Sequence, residues 1–225
     1  MKAVVIEKYG GADVLEVKDI PMPVVGDHDL LIEVYAASVN PVDWKIREGY
    51  LKDMSPYKFP LVLGWDVAGV VKETGAHVSL FKAGERVFSR TDIARNGTYA
   101  EYVAVDEGLV ALIPDNLSFR EAAAVPLACQ TAWQALVEIA QVKLGDKVLI
   151  HAASGGVGTF ALQIAKNNGA HVAATCGPQI PDWQNHSGQT RSLITPQLIF
   201  QRCFMILILY WIPWVEKPTV RASKF

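Results

Sequence analysis

Hydrophobic and polar positions alternate, or gather into short apolar runs, through the first half of the chain. Residues 30–36, 61–63, 67–71 and 99–105 are runs of this kind, cut apart by Gly, Pro and Asp. Short apolar or alternating runs bounded by turn formers predict strands, so residues 2–116 read as mostly β. The pattern changes at Ser118. This residue stands three positions before Glu121, the signature of a capping box, and residues 122–140 are rich in Ala and Leu with Pro126 as an interruption; helices are predicted from here on. After Gly145, an apolar strand over 147–151, a glycine loop, a helical stretch over 159–168 and a second apolar strand over 171–175 form a strand-loop-helix-strand unit.

The chain has 225 residues, enough for one or two domains and a sizeable core. With 51% hydrophobic and 20% charged residues and a formal net charge of -2, neither intrinsic disorder nor electrostatic binding of nucleic acid fits. Cys129, Cys176 and Cys203 are too few and too scattered for a disulfide framework or a cysteine-rich zinc site, which points to a reducing, cytoplasmic setting. Glu7 and Lys8 end the first apolar run before it could form a signal-peptide core. The longest apolar stretch, residues 204–212, is about half the ~20 residues that a membrane-spanning helix needs.

The segment Ala152-Ala153-Ser154-Gly155-Gly156-Val157-Gly158 lies between a predicted strand and a predicted helix. Glycines in that context let the backbone turn sharply and let a pyrophosphate approach the helix N-terminus, where free N–H groups and the helix dipole favour an anion. A tight turn with no ligand is the other reading. Dinucleotide sites for NAD place an acid about 20 residues past the glycines to hold the ribose 2′-hydroxyl. Here that zone reads Ala174-Thr175-Cys176-Gly177-Pro178. The missing acid favours NADPH, with NADH as the alternative.

Together with Val39-Asn40-Pro41-Val42-Asp43-Trp44-Lys45, Gly64-Trp65-Asp66-Val67-Ala68-Gly69 and Gly97-Thr98-Tyr99-Ala100-Glu101-Tyr102, the glycine loop makes residues 1–177 resemble the medium-chain dehydrogenase/reductase superfamily, and most closely its zinc-independent quinone oxidoreductase branch. The resemblance implies an α/β plus β architecture. An N-terminal chaperonin-10-like (GroES-like) β-barrel would cover residues 1–117 as substrate domain, and a truncated Rossmann-type parallel sheet residues 118–177 as NAD(P)-binding domain. It also implies a homodimer and no zinc. Zinc-dependent relatives carry a cysteine ligand in the stretch occupied here by residues 40–43 and a histidine where this chain has Trp65. A catalytic zinc needs about three protein ligands, and no cysteine precedes Cys129. His28, His77, His151 and His171 read as surface or packing residues.

Without a Lewis acid the substrate must accept hydride readily, as a quinone or an α,β-unsaturated carbonyl does, with the protein orienting the reactants and hydrogen-bonding developing charge. By the same resemblance, Asn40 would lie beside nicotinamide and substrate and Thr131 at the nicotinamide end. Ser154, Gly155, Gly156, Val157 and Gly158 would line the pyrophosphate. Tyr50 and Trp65 would shape the substrate pocket or act as ordinary packing aromatics.

Past Gly177 the composition breaks: residues 178–225 hold one glycine, one alanine, two acids and three of the six tryptophans. A single-frame slip in the coding sequence near residues 178–183 would explain the break. Reading from the third base of each codon, the pairs Trp183–Gln184, Met205–Ile206, Trp211–Ile212 and Trp214–Val215 force Ala, Asp, Asp and Gly. With free codon choice elsewhere, residues 184–217 then yield a string with the Leu-Gly-Ala-Asp and Asp-x-Val-Gly-Gly elements of the family. Residues 178–225 are therefore expected to be a non-family tail that does not rebuild the sheet. Two functions compete: a zinc-independent NADPH-dependent oxidoreductase, and a catalytically inactive truncated product in which only the barrel folds.

Overall fold

In the computed structural model, the described residues are 1–54, 56–177, 191–194 and 208–211. The chain divides into two compact units, Met1–Leu127 and Ala128–Phe225.

The first unit holds β1 (Lys2–Ile6), β2 (Glu16–Asp19), β3 (Asp29–Ala37), α1 (Pro41–Arg47), β4 (Leu61–Val62), β5 (Asp66–Thr74), β6 (Arg86–Arg90), β7 (Tyr102–Asp106), β8 (Val110–Leu112) and α2 (Phe119–Ala123). All strand pairs here are antiparallel. Alternation does the folding. In β6, Val87 and Ser89 are buried while Arg86, Phe88 and Arg90 are only partly covered, and Val87 joins Leu30, Ile32, Val67, Val71, Val103 and Val105 in one apolar cluster. A second cluster gathers Ile6, Ile46, Leu61, Leu63 and Trp65 beneath α1.

The closed GroES-like barrel expected from the resemblance is not formed. The strands make two separate open sheets, β2-β1-β4 and β7-β3-β5-β6-β8. A barrel requires its edge strands to meet in a continuous staggered ladder. Here β7 and β8 end the larger sheet without pairing to each other, and β1 meets the segment before β7 through an isolated bridge between Ala3 and Ala100. Two register shifts along β3, at Leu31/Ile32 and Val34/Ala36, bend the sheet locally, and the interior is split among several apolar clusters.

The capping box read from the sequence starts α2: the Ser118 N–H donates to Glu121 Oε2 (2.8 Å) and the Glu121 N–H to Ser118 Oγ (3.3 Å). Pro126, which lacks an N–H, opens a new helix rather than kinking an old one. That helix, α3 (Pro126–Trp133), runs into a π-helical turn over Gln134–Ile139.

In the second unit, β9 (Lys147–Ile150), α4 (Gly156–Asn167) and β10 (His171–Cys176) realise the expected strand-loop-helix-strand order, with β9 and β10 parallel. Val148, Ile150, Val172 and Ala174 turn one face of the sheet towards Ala161, Leu162 and Ala165 of α4 and Leu136 of the π-helical turn. The tail does extend this sheet. Strand β11 (Arg191–Ile194) pairs parallel with β10, and β12 (Ile208–Trp211) antiparallel with β9. Both open edges of a two-stranded core offer unpaired N–H and C=O groups, and short tail segments satisfy them. No helix among the described residues is long and apolar enough to cross a membrane.

Candidate functional site

Each unit holds one cluster around expected site residues: Asn40 in the first and the glycine loop in the second. In the first unit, Asn40 is the N-cap of α1, with Pro41 at the first helical position and a capping box to Asp43. The Asn40 backbone N–H donates to Asp43 Oδ2 (2.6 Å), which also accepts the Tyr99 hydroxyl (2.7 Å). The Asn40 carboxamide donates through Nδ2 to Asp66 Oδ2 (2.8 Å) and to Ser38 Oγ (3.0 Å), and Ser38 Oγ donates to Asp66 Oδ2 (2.5 Å). The other Asp66 oxygen accepts the Leu127 backbone N–H (2.9 Å). Asn40 is 9% exposed, Asp43 4% and Asp66 0%, so all three groups depend on these partners rather than on water.

Burial pushes both carboxyls, Asp43 and Asp66, above the usual carboxylate range despite the donors that favour their charged forms. The Tyr99 hydroxyl is pushed up by burial and by the Asp43 carboxylate beside it. Gly64, at φ +90°, lies against the Tyr99 ring: a Cβ there would come within 2.5 Å of Tyr99 Cδ1. Glycine at this position thus lets the Tyr99 ring close over the start of β5.

The expected pocket aromatics separate. Trp65 is fully buried among Ile6, Ile46, Leu61 and Leu63, and its Nε1 has no partner. Tyr50 is 69% exposed and makes its edge-on ring contact with Trp44. The Asn40 carboxamide bonds instead to Ser38 and Asp66. Sequence reading passed over Ser38, Asp43, Asp66 and Tyr99 as site residues. The available signal was Asp66 inside the apolar run Leu61 to Val71: a carboxylate there must find donors or pay the cost of burial.

In the second unit, Gly155 is the N-cap of the twelve-residue α4, so the glycine loop sits at a helix start. Thr175 fastens it to β10: the Ala153 N–H donates to Thr175 O (2.9 Å), the Ala152 N–H to Thr175 Oγ1 (3.2 Å), and His151 Nδ1 is 3.1 Å from the same Oγ1. Ala152 adopts φ +52°, a left-handed conformation that costs a residue with a Cβ about 1–2 kcal/mol. The glycines do different jobs. A Cβ on Gly158 would lie 2.5 Å from Ala152 O and 2.6 Å from Ala153 Cα, whereas one on Gly156 would meet only Ala128 Cβ, at 3.9 Å. Gly158 is therefore required by packing within the loop. Gly155 and Gly156 are exposed; the Gly155 N–H donates to Ala152 O (2.9 Å), and the N–H groups in the first turn of α4 lack intrahelical partners, which suits a bound phosphate. Ser154 and Val157 beside them are half-buried, and Thr131 is an exposed residue of α3.

The donor set around Asn40 does not suit zinc: a buried indole stands at one position and a carboxamide at another. Among the described residues no group of three or more His, Cys, Asp or Glu could hold a metal ion.

Residues 26–115 match the alcohol dehydrogenase GroES-like domain family. The chloroplastic quinone-oxidoreductase homolog of Spinacia oleracea is 42% identical over 189 residues, covering 81% of this chain and 57% of that protein. Human quinone oxidoreductase is 42% identical over 182 residues, covering 80% and 54%. The solved quinone oxidoreductase of Coxiella burnetii superposes with a TM-score of 0.78 at 36% identity, covering 86% of this chain and 62% of that one. The chain belongs to the medium-chain dehydrogenase/reductase superfamily. It spans about half the length of the curated relatives it matches. A mycobacterial member, Rv1454c, was solved in complex with NADPH and superposes with a TM-score of 0.78 at 33% identity, over 88% of this chain and 60% of that one. Neither these likenesses nor the strand pairing supports a reading-frame slip. Apart from β11 and β12, the tail residues on which that expectation falls lie outside the described ones.

Proposed function

We propose that this superfamily member is an NADPH-dependent oxidoreductase that transfers hydride to a quinone or an α,β-unsaturated carbonyl without zinc. The relatives named as quinone oxidoreductases and the NADPH complex of the mycobacterial member support the substrate and cofactor classes. The observation that carries the reading is the glycine loop. Gly155 and Gly156 open a twelve-residue helix and carry no side chain into the space at its N-terminus, while Gly158 is fixed by packing behind them.

In this reading residues 1–117 form the substrate domain and 118–177 the NAD(P)-binding domain. Ser154, Gly155, Gly156, Val157 and Gly158 hold the pyrophosphate, Thr131 lies at the nicotinamide end, and Asn40 positions the nicotinamide. Trp65 acts from beneath by packing, and Tyr50 offers an exposed ring to the substrate. NADPH supplies the hydride when bound, and the accompanying proton comes from solvent. The enzyme is a cytoplasmic homodimer.

Titration of the full chain with NADPH, followed by nicotinamide fluorescence, tests the reading. Saturable binding, with cofactor oxidation on addition of 1,4-benzoquinone, is expected. Absence of any binding at millimolar NADPH would refute it.

A further inference from the structure

Where β9 passes into the glycine loop, the backbone leaves the ladder and a single residue of β10 takes up its hydrogen bonds. The parallel pairing of β9 with β10 ends at Ile150 and Ala174. Two residues on, Ala152 turns left-handed at φ +52°. Its N–H donates to a side chain, Thr175 Oγ1 (3.2 Å), and the next N–H, of Ala153, donates to the Thr175 carbonyl (2.9 Å). Ala152 in turn governs the helix start. Its carbonyl accepts the N–H of Gly155, the N-cap of α4 (2.9 Å), and lies where a Cβ on Gly158 would fall. Thr175 thus reaches the helix start through Ala152. The threonine is 3% exposed, so its hydroxyl depends on protein partners. The oxygen accepts from Ala152, and the single hydroxyl hydrogen needs an acceptor. Among the described residues that acceptor is His151 Nδ1, at 3.1 Å. The reverse arrangement, with Nδ1–H donating, would give the oxygen two donors and leave a buried hydroxyl hydrogen unpaired, a cost that the first arrangement avoids.

We propose that Thr175 is a positioning residue of the cofactor cradle, acting through Ala152, and that its hydroxyl holds the His151 ring in the neutral form with the hydrogen on Nε2. Thr175 acts without touching the ligand. It captures the N–H that the left-handed turn takes out of the sheet, and His151 accepts the hydroxyl hydrogen, which leaves an oxygen lone pair aimed at Ala152. Parallel sheets bind their ligands at the carboxyl ends of the strands. A short polar side chain on the neighbouring strand keeps the turn there in one conformation, so that the N–H groups at the start of α4 are in place before an anion arrives. The positioning role rests on the oxidoreductase reading above, and the ring tautomer does not.

The tautomer is tested without cofactor. In the 15N-labelled full chain at about pH 8, above the ordinary imidazole range, long-range 1H–15N correlations should show the His151 ring protonated at Nε2 and bare at Nδ1. Thr175→Val exchanges the hydroxyl for a methyl group, and the Nδ1 resonance should then move downfield as it loses its donor. A hydrogen on Nδ1 in the wild type, or an unchanged His151 spectrum in Thr175→Val, would overturn the lock. NADPH titration reads the positioning role. Thr175→Val should bind NADPH about tenfold more weakly, the equivalent of one hydrogen bond, and Thr175→Ser, which keeps the hydroxyl, should recover most of that loss. Wild-type affinity in Thr175→Val, or no recovery in Thr175→Ser, would overturn the role. If Thr175→Val fails to fold, His151→Phe takes its place; it removes the acceptor alone and should weaken NADPH binding severalfold, and wild-type affinity there would overturn the part given to the hydroxyl. Failure of the wild-type chain to bind NADPH would overturn the functional reading and the positioning role with it, whatever the ring spectrum shows.

Discussion

The Asn40 cluster and the glycine loop solve opposite problems. Around Asn40 the protein crowds side chains together, with two buried acids, a tyrosine hydroxyl, a serine and a carboxamide that spend their hydrogen bonds on one another. At Gly155 and Gly156 it removes side chains and leaves backbone N–H groups at a helix start. The first arrangement is preorganised by internal partners. The second has little internal demand and is open to an anion.

The largest expected effect is at the cradle. Gly156→Val should abolish measurable NADPH binding, a loss of more than about a hundredfold. Its Cβ meets only Ala128 at 3.9 Å, so melting of the variant should match the wild type. Unchanged NADPH affinity would rule the loop out as the phosphate site. Gly158→Ala should act on the other side of the comparison. The 2.5 Å approach to Ala152 O forces the helix start to shift, and chemical denaturation should show a loss of about 2 kcal/mol. An unaffected midpoint would mean that Gly158 is not a packing glycine.

In the crowded cluster, Tyr99→Phe removes one donor from Asp43 and should cost about 1 kcal/mol by the same measurement. The pH dependence has a definite sign. Asp43 and Asp66 bind protons more tightly in the folded chain than in the unfolded one. The stability this confers is fully present below the unfolded carboxylate value of about 3.9 and is lost as pH rises through the folded values. Denaturation midpoints measured upward from pH 4 should therefore fall less steeply in Asp43→Asn than in the wild type; an identical slope would contradict the assigned burial. The smallest effect is expected at Ala152. Relaxing its φ of +52° by Ala152→Gly should raise stability by about 0.5–1 kcal/mol, and a lower melting temperature would show that the left-handed turn carries no strain.

What could be read from residues alone follows the range of the forces involved. The capping box at Ser118 and Glu121, the interruption of the helical stretch at Pro126 and the apolar strands on either side of the glycine loop are local, and all are present. Helix α4 starts at Gly156, three residues before the predicted Thr159, because glycine, a poor helix former in the interior, is tolerated in the first turn. Closure of a barrel is a property of strands far apart in sequence, and nothing in the motifs specifies whether β7 and β8 meet. Burial of Trp65 and exposure of Tyr50 were equally invisible, since two aromatics in similar motifs differ only in what tertiary packing covers. The role of Asp66 was hidden for a related reason. Its partners Ser38, Asn40 and Leu127 lie between 26 and 61 positions away.

The claim that the loop at α4 seats a dinucleotide is tested most directly by calorimetric titration of the full chain with NADPH, run beside Gly156→Val. The account predicts saturable one-site binding to the wild type and none to the variant at the same concentrations. No heat from the wild-type chain, or equal heat from both, would contradict it.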